Sequence, residues 1–215
     1  MKICGIDEAG KGPVIGPLVV CGIMVDEKDI PKLREIGVKD SKLLTPRARE
    51  SLAEQLERFV KYSFQVITPQ EIDEAMRSES SNLNWLEAVK IAMIINDLKP
   101  DRAILDCPSN NIESYKKYLK VYINDPKLDL HASHKAESKF EVVAAASILA
   151  KTMREREVAA IKAAIGLDFG SGYPADPRTK EFIEMHADNH PDIFRHEWAT
   201  MKRRKGMTKL TDFQG

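Results

Sequence analysis

One stretch near the start limits what this chain can fold into. Ile3-Cys4-Gly5-Ile6 is a short apolar run with strand character. It leads directly into two adjacent carboxylates, Asp7 and Glu8, and then breaks on Gly10-Lys11-Gly12-Pro13. A carboxylate at the end of a buried strand is costly unless a positive side chain or a metal ion meets it. The glycine turn behind it lets another chain, such as a phosphate backbone, come close. Any acceptable fold must therefore bring positive charge to that strand end.

The rest of the chain supplies strands and helices in a definite order. Residues 17–25 are rich in Val and Ile and form a second strand beside residues 2–8. A short helix is expected over 27–34. Thr45-Pro46 and Thr68-Pro69 each place a capping hydroxyl before a proline at the first helical position. They open helices reaching about Lys61 and Met76, with a third strand over 61–67 between them. Residues 82–98 show Leu83, Leu86, Val89, Ala92, Met93 and Ile94 at helical spacing, and Pro100 follows as a stop. Arg102 to Asp106 is a short buried strand, residues 112–121 a helix, and residues 128–132 a weak strand. Ser138-Lys139-Phe140-Glu141 has the spacing of a capping box and opens a helix from Phe140 to about Ile165. Asp176-Pro177 starts another. Strands followed by alternating helices and strands predict an α/β sheet, antiparallel at its N-terminal portion and parallel beyond. One domain over residues 1–190, with a helical extension over 191–215, is the expected organisation.

Composition narrows the partners. Lys plus Arg and Asp plus Glu are both 33 in 215 residues, so the chain is no general polycation. A nucleic-acid partner would need the basic residues gathered on one face. Lys202-Arg203-Arg204-Lys205, with Lys151, Arg154 and Arg156, are the candidates. Cys4, Cys21 and Cys107 have neither disulfide nor zinc spacing and suit a reducing compartment. No leader opens the sequence and no apolar run approaches a membrane span, so a cytoplasmic protein is expected.

Gly5 to Gly12 nearly matches a phosphate-binding loop, with Gly12 where Ser or Thr should hold magnesium. Two acids inside the loop and a strand-like continuation count against it. It remains as the rival reading, a nucleotide-binding switch. The metal reading needs more acids. Asp106 ends a strand, where ligands bind in α/β sheets; alone it would be an ordinary turn acid. Glu137 stands at the mouth of the long helix, where a solvated acid is also favoured. Asp7 and Glu8 share a site only if the strand twists at Glu8, because neighbours in a strand point to opposite faces. His186 and His190 have zinc-site spacing, but Ala187 stands where a zinc protease needs Glu. His131, His134 and His196 read as loop or surface residues. Gly170-Ser171-Gly172-Tyr173-Pro174 puts an aromatic ring on a stiffened loop.

Taken as a set, these segments resemble the ribonuclease HII family in its compact single-chain archaeal kind. The resemblance rests on Gly5-Ile-Asp-Glu-Ala-Gly-Lys-Gly-Pro13, Lys39-Asp-Ser-Lys-Leu43, Ile104-Leu-Asp106, His134-Lys-Ala-Glu137 with Ala144 to Lys151, and Gly170 to Pro174. It implies a ribonuclease H-like mixed β-sheet flanked by helices. The implied activity is endonucleolytic cleavage of RNA in RNA/DNA hybrids and 5′ of ribonucleotides embedded in duplex DNA. Asp7, Glu8, Asp106 and Glu137 match the family's four acids, holding two divalent ions, Mg2+ or Mn2+. Gly10, Lys11 and Gly12 would read the 2′-hydroxyl, Tyr173 would pack on the next sugar, and Ser41 and Lys42 would bind flanking phosphate. The family usually has Arg at the position of Lys11 and Asp at that of Glu137. Met207 to Gln214 resembles a degenerate sliding-clamp box through Leu210 and Phe213. A monomer is expected, and another ribonuclease H-like nuclease is the rival within the fold class.

Overall fold

The computed structural model describes residues 1–38 and 44–211, the last five by backbone alone. Ser41, Lys42 and Phe213 therefore lie outside the described residues, as does the Leu210 side chain. The Val- and Ile-rich segments form β1 (Lys2–Ala9) and β2 (Leu18–Asp26), paired antiparallel with Asp7 opposite Cys21. The sheet order is β3-β2-β1-β4-β5, with β3 at Lys61–Ile67, β4 at Arg102–Asp106 and β5 at Asp129–Ser133. β4 runs parallel to β1, and β5 parallel to β4. The expected mixture of antiparallel and parallel pairing is what the chain adopts.

Helix starts fall where side chains supply the caps. Thr45 accepts from the Ala48 N–H at the head of α2 (Pro46–Phe59). Thr68 and Glu71 form a complete capping box on α3 (Pro69–Arg77). Before them, a 3-10 turn (Glu27–Asp29) leads into α1 (Ile30–Ile36). α4 (Leu83–Leu98), α5 (Ile112–Val121), α6 (Glu141–Ile165), α7 (Pro177–His186) and α8 (Ala199–Thr211) complete the chain.

The long helix α6 starts within a residue of the expected Phe140. Ser138 closes a separate 3-10 turn, Ala136–Ser138, and α6 begins at Glu141. Glu141 is buried, and its carboxylate accepts from Arg34 Nε of α1 at 3.0 Å.

By close contacts the chain divides into two compact units, Met1–Ala9, Val19–Val66 and Asn84–Glu155 in one, Gly10–Leu18, Ile67–Leu83 and Arg156–Gly215 in the other. In the first unit the sheet is covered on both faces. Ile3, Ala9, Cys21, Ile23 and Val25 pack with Leu33, Leu52 and Leu56 and with the apolar side of α6. Each such Leu or Ile contributes roughly 1.5–3 kcal/mol by leaving water. A Cβ placed on Gly5 would stand 2.2 Å from the Val142 carbonyl carbon, so α6 lies directly on β1. On the other face, a Cβ on Gly22 would meet Ile94 of α4 at 2.3 Å. In the second unit, Val14, Ile15, Phe169, Phe182, Ile183, Phe194 and Met201 form a separate core.

Candidate active site

β1 directs its odd positions toward α6, so Asp7 emerges on that face near the end of the strand. Asp106 ends β4, the parallel neighbour. Glu137 arrives from the turn after β5. That turn is tied down: the Ala136 N–H donates to Asp106 Oδ1 at 2.7 Å, and Lys139 Nζ donates to the His134 carbonyl at 2.9 Å. His134 Nδ1 lies 3.1 Å from the Cys107 carbonyl oxygen. The result is one carboxylate oxygen each from Asp7, Asp106 and Glu137, all within 4.8 Å of one another.

Within this group Asp7 resists ionisation. Two negative charges at that separation repel by about 3 kcal/mol at an effective dielectric near 20. Asp7 is only 4% exposed. Burial pushes its carboxyl up to about 6, aided by the charges of Glu137 and Asp106 and opposed by hydrogen bonds from the Ser147 hydroxyl and the Glu8 N–H. Its Oδ1 accepts from that N–H at 2.9 Å, while Oδ2 is buried without a hydrogen-bond partner. A buried, partnerless carboxylate oxygen facing two more carboxylates is the arrangement that a hard divalent cation relieves. An all-oxygen donor set suits Mg2+ or Mn2+. Among the described residues this is the one His, Cys, Asp or Glu group with metal-holding geometry. The histidines do other things: His186 packs on Phe182 at 4.9 Å, and His196 Nε2 lies 3.0 Å from the Pro191 carbonyl.

Glu8 is not part of the group of three. β1 continues to Ala9 opposite Val19, and within it Glu8 pairs opposite Val20. Its charge is instead felt by buried Tyr115 of α5, whose phenol is pushed up by burial, then by Glu87 and Glu8. Ser147 and Lys151 were not assigned a site role in the sequence. Ser147 hydrogen-bonds Asp7, and Lys151 Nζ donates to Ser147 Oγ at 2.8 Å. The i,i+4 spacing of these two on α6 was the available signal; Lys151 had counted only as helix charge.

In the second unit, Gly10 has φ 93°, a conformation that excludes most side chains. A Cβ on Gly12 would meet the Tyr173 ring at 3.3 Å, and the Val14 N–H donates to the Gly172 carbonyl at 2.8 Å. The glycine turn and the tyrosine loop are thus held side by side.

The family model described as Ribonuclease HII matches residues 4–201. The chain belongs to the ribonuclease HII family. A ribonuclease HII of Methanocella arvoryzae is 46% identical over 201 residues, 92% of this chain and 89% of its own. The crystal structure of the ribonuclease H2 of Pyrococcus horikoshii superposes with a TM-score of 0.85 at 42% identity, covering 94% of this chain and 96% of that one. A ribonuclease HII of Archaeoglobus fulgidus, solved in complex with PCNA, gives 0.84 at 40% identity, covering 92% and 95%. The mixed sheet flanked by helices is that of the family. As a ribonuclease HII the chain is a ribonuclease H, a divalent-metal-dependent nuclease acting on RNA paired to DNA. The nucleotide-switch reading of Gly5 to Gly12 is set aside, since no helix follows Gly12 to receive a phosphate.

Proposed function

We propose that this ribonuclease H cuts the RNA strand of hybrids and also cuts 5′ of single ribonucleotides embedded in duplex DNA, leaving 3′-hydroxyl and 5′-phosphate ends. The observation carrying this is the convergence of Asp7, Asp106 and Glu137 at the strand ends, three positions before a turn suited to close approach. Asp7, Asp106 and Glu137 would hold the metal, with Glu8 as the family's fourth acid. Divalent ions held there would supply activation of a water and stabilisation of charge on the departing oxygen. In the overall hydrolysis a P–O bond would form from the water oxygen, which gives up a proton to solvent, and the bond to O3′ would break, with O3′ taking up a proton from solvent to leave as a hydroxyl.

The chain's own residues set the conditions. Asp7 must lose its proton to become a ligand, and the Ser147 hydroxyl, oriented by Lys151, favours the ionised form. Gly10, Lys11 and Gly12 read the 2′-hydroxyl, the group that separates ribose from deoxyribose. Backbone reading makes the Arg-to-Lys departure at Lys11 mild. Tyr173, 42% exposed beside Gly12, packs on the following deoxyribose. Ser41 and Lys42 bind flanking phosphate. Glu137, one methylene longer than Asp, shifts the balance between manganese and magnesium. Ribonucleotide excision and RNA primer removal in the cytoplasm follow as biological roles.

The test is cleavage of a DNA duplex carrying one ribonucleotide. The wild type is expected to cut once, on the 5′ side, and Asp7→Asn and Asp106→Asn to lose at least about 100-fold in kcat/KM. Equal cutting of an all-deoxy duplex would remove the assigned 2′-hydroxyl reader.

A further inference from the structure

Arg195 has no exposed surface, an uncommon position for a guanidinium. Its nitrogens address backbone. Nε donates to the Gly16 carbonyl at 3.0 Å, Nη1 to that of Lys11 at 3.1 Å and Nη2 to that of Gly10 at 2.7 Å. The guanidinium lies 5.0 Å from the ring centroid of Trp198, and the indole Nε1 donates to the Gly12 carbonyl at 3.2 Å. Three consecutive carbonyls, Gly10 to Gly12, are held by two side chains from one short segment. That segment is itself pinned. The Arg195 N–H donates to the Val14 carbonyl at 2.9 Å, and the buried carboxylate of Asp73 accepts from the N–H groups of His196 and Glu197 at 2.8 and 2.9 Å.

Peptide geometry turns this cradle into an orientation. The described chain has no cis peptide bond, and a trans peptide points its C=O and N–H in opposite directions. A Gly10 carbonyl turned toward Arg195 turns the Lys11 N–H away from it. The Lys11 carbonyl does the same for the Gly12 N–H. The Gly12 carbonyl belongs to the peptide with Pro13, which has no N–H to present. Two adjacent donors are thereby aimed to the side opposite the guanidinium.

We infer that Arg195 and Trp198 are positioning residues for ribose recognition, holding the Gly10–Gly12 carbonyls so that the Lys11 and Gly12 N–H groups face the 2′-hydroxyl. This rests on the reading of Gly10–Gly12 as the ribose reader. Arginine is required because its planar fork reaches three acceptors at once, whereas a lysine ammonium is a point charge on a flexible stem. Trp198 adds the fourth hydrogen bond and a flat surface under the fork.

The experiment uses the full chain with Mg2+ or Mn2+ and two variants. Arg195→Lys keeps the charge without the fork, and Trp198→Phe keeps a ring without the indole N–H. The kcat/KM is measured on a DNA duplex with one ribonucleotide, and the all-deoxy duplex serves as a competing inhibitor whose Ki reads general duplex binding. Positioning predicts that kcat/KM falls about 100-fold in Arg195→Lys and about 5–10-fold in Trp198→Phe, with Ki unchanged within about twofold. A purely structural staple would lower kcat/KM and weaken inhibition in step, and that result, or full activity of both variants, overturns the inference. If Arg195→Lys does not fold, Trp198→Phe decides by the same two measurements. Failure of the underlying reading looks different: wild-type enzyme would itself cut the all-deoxy duplex as fast as the ribonucleotide duplex.

Discussion

Asp7 stands between two opposing demands. As a metal ligand it must be ionised, yet its burial and the two carboxylates beside it favour the proton and hold its carboxyl near 6. Between the ordinary Asp range and about 6, the folded chain therefore binds more protons than the unfolded one, and metal-free stability falls as pH rises through that window. Asp7→Asn removes the penalty. In the presence of a chelator, urea unfolding at pH 7 should show the variant more stable than wild type by up to about 3 kcal/mol, with the gap closing toward pH 4. A variant that is less stable at pH 7 would mean that the trio is not strained without metal. Of this group, Asp7 and Asp106 were legible in the sequence because both end apolar strands. Glu137 was legible only as an acid near a helix start; the 3-10 turn and its tether to Asp106 depend on β5 lying beside β4. Ser147 and Lys151 were marked only by their i,i+4 spacing inside the Ala144 to Lys151 segment, and that spacing does not say which way the helix faces.

At the scale of elements, the approach of α6 to β1 decides where Ser147 meets Asp7. Gly5 permits that approach. Its absent Cβ would overlap backbone of Val142, which belongs to a helix and cannot step aside. Gly22, on the next strand, faces the Cγ2 methyl of the Ile94 side chain rather than backbone. Gly5→Ala should therefore destabilise by at least about 3 kcal/mol and Gly22→Ala by less, about 1–2 kcal/mol, in chemical denaturation. The reverse order would show that α6 moves more freely than its packing implies. The same distinction explains which elements could be read in advance. Thr45-Pro46, Thr68-Pro69 and Asp176-Pro177 carry their caps within a few residues, and the helices begin where those caps are. Ser138 to Glu141 marked a helix start that falls at Glu141, but not the ion pair that Arg34, 107 positions away, makes with the glutamate. Arg195 belongs to the same class: its partners lie about 180 positions earlier, and nothing around it in sequence separates it from a surface arginine.

Across the whole molecule the formal charge is zero, so attachment to DNA cannot rest on bulk attraction. The basic run Lys202 to Lys205 is partly neutralised as well. Lys202 pairs with Glu197 at 2.7 Å and Arg204 with Asp188. A weakly charged nuclease gains most from a second point of attachment that raises its local concentration on DNA. The Archaeoglobus fulgidus relative was solved with PCNA, and Leu210 and Phe213 would be the hydrophobic positions of the degenerate clamp box that Met207 to Gln214 resembles. Removing residues 206–215 is the test, because among the described side chains of α8 the buried one is Met201 and both ion pairs lie before the cut. The truncated chain should cut a short ribonucleotide duplex, too small to thread a clamp, at the wild-type kcat/KM within about twofold. Its recovery with an archaeal sliding clamp in a pull-down should fall at least about tenfold, the loss expected when two apolar anchors are removed. Equal recovery of truncated and full-length chains would place any clamp contact elsewhere on the molecule and leave Leu210 and Phe213 without a role in it.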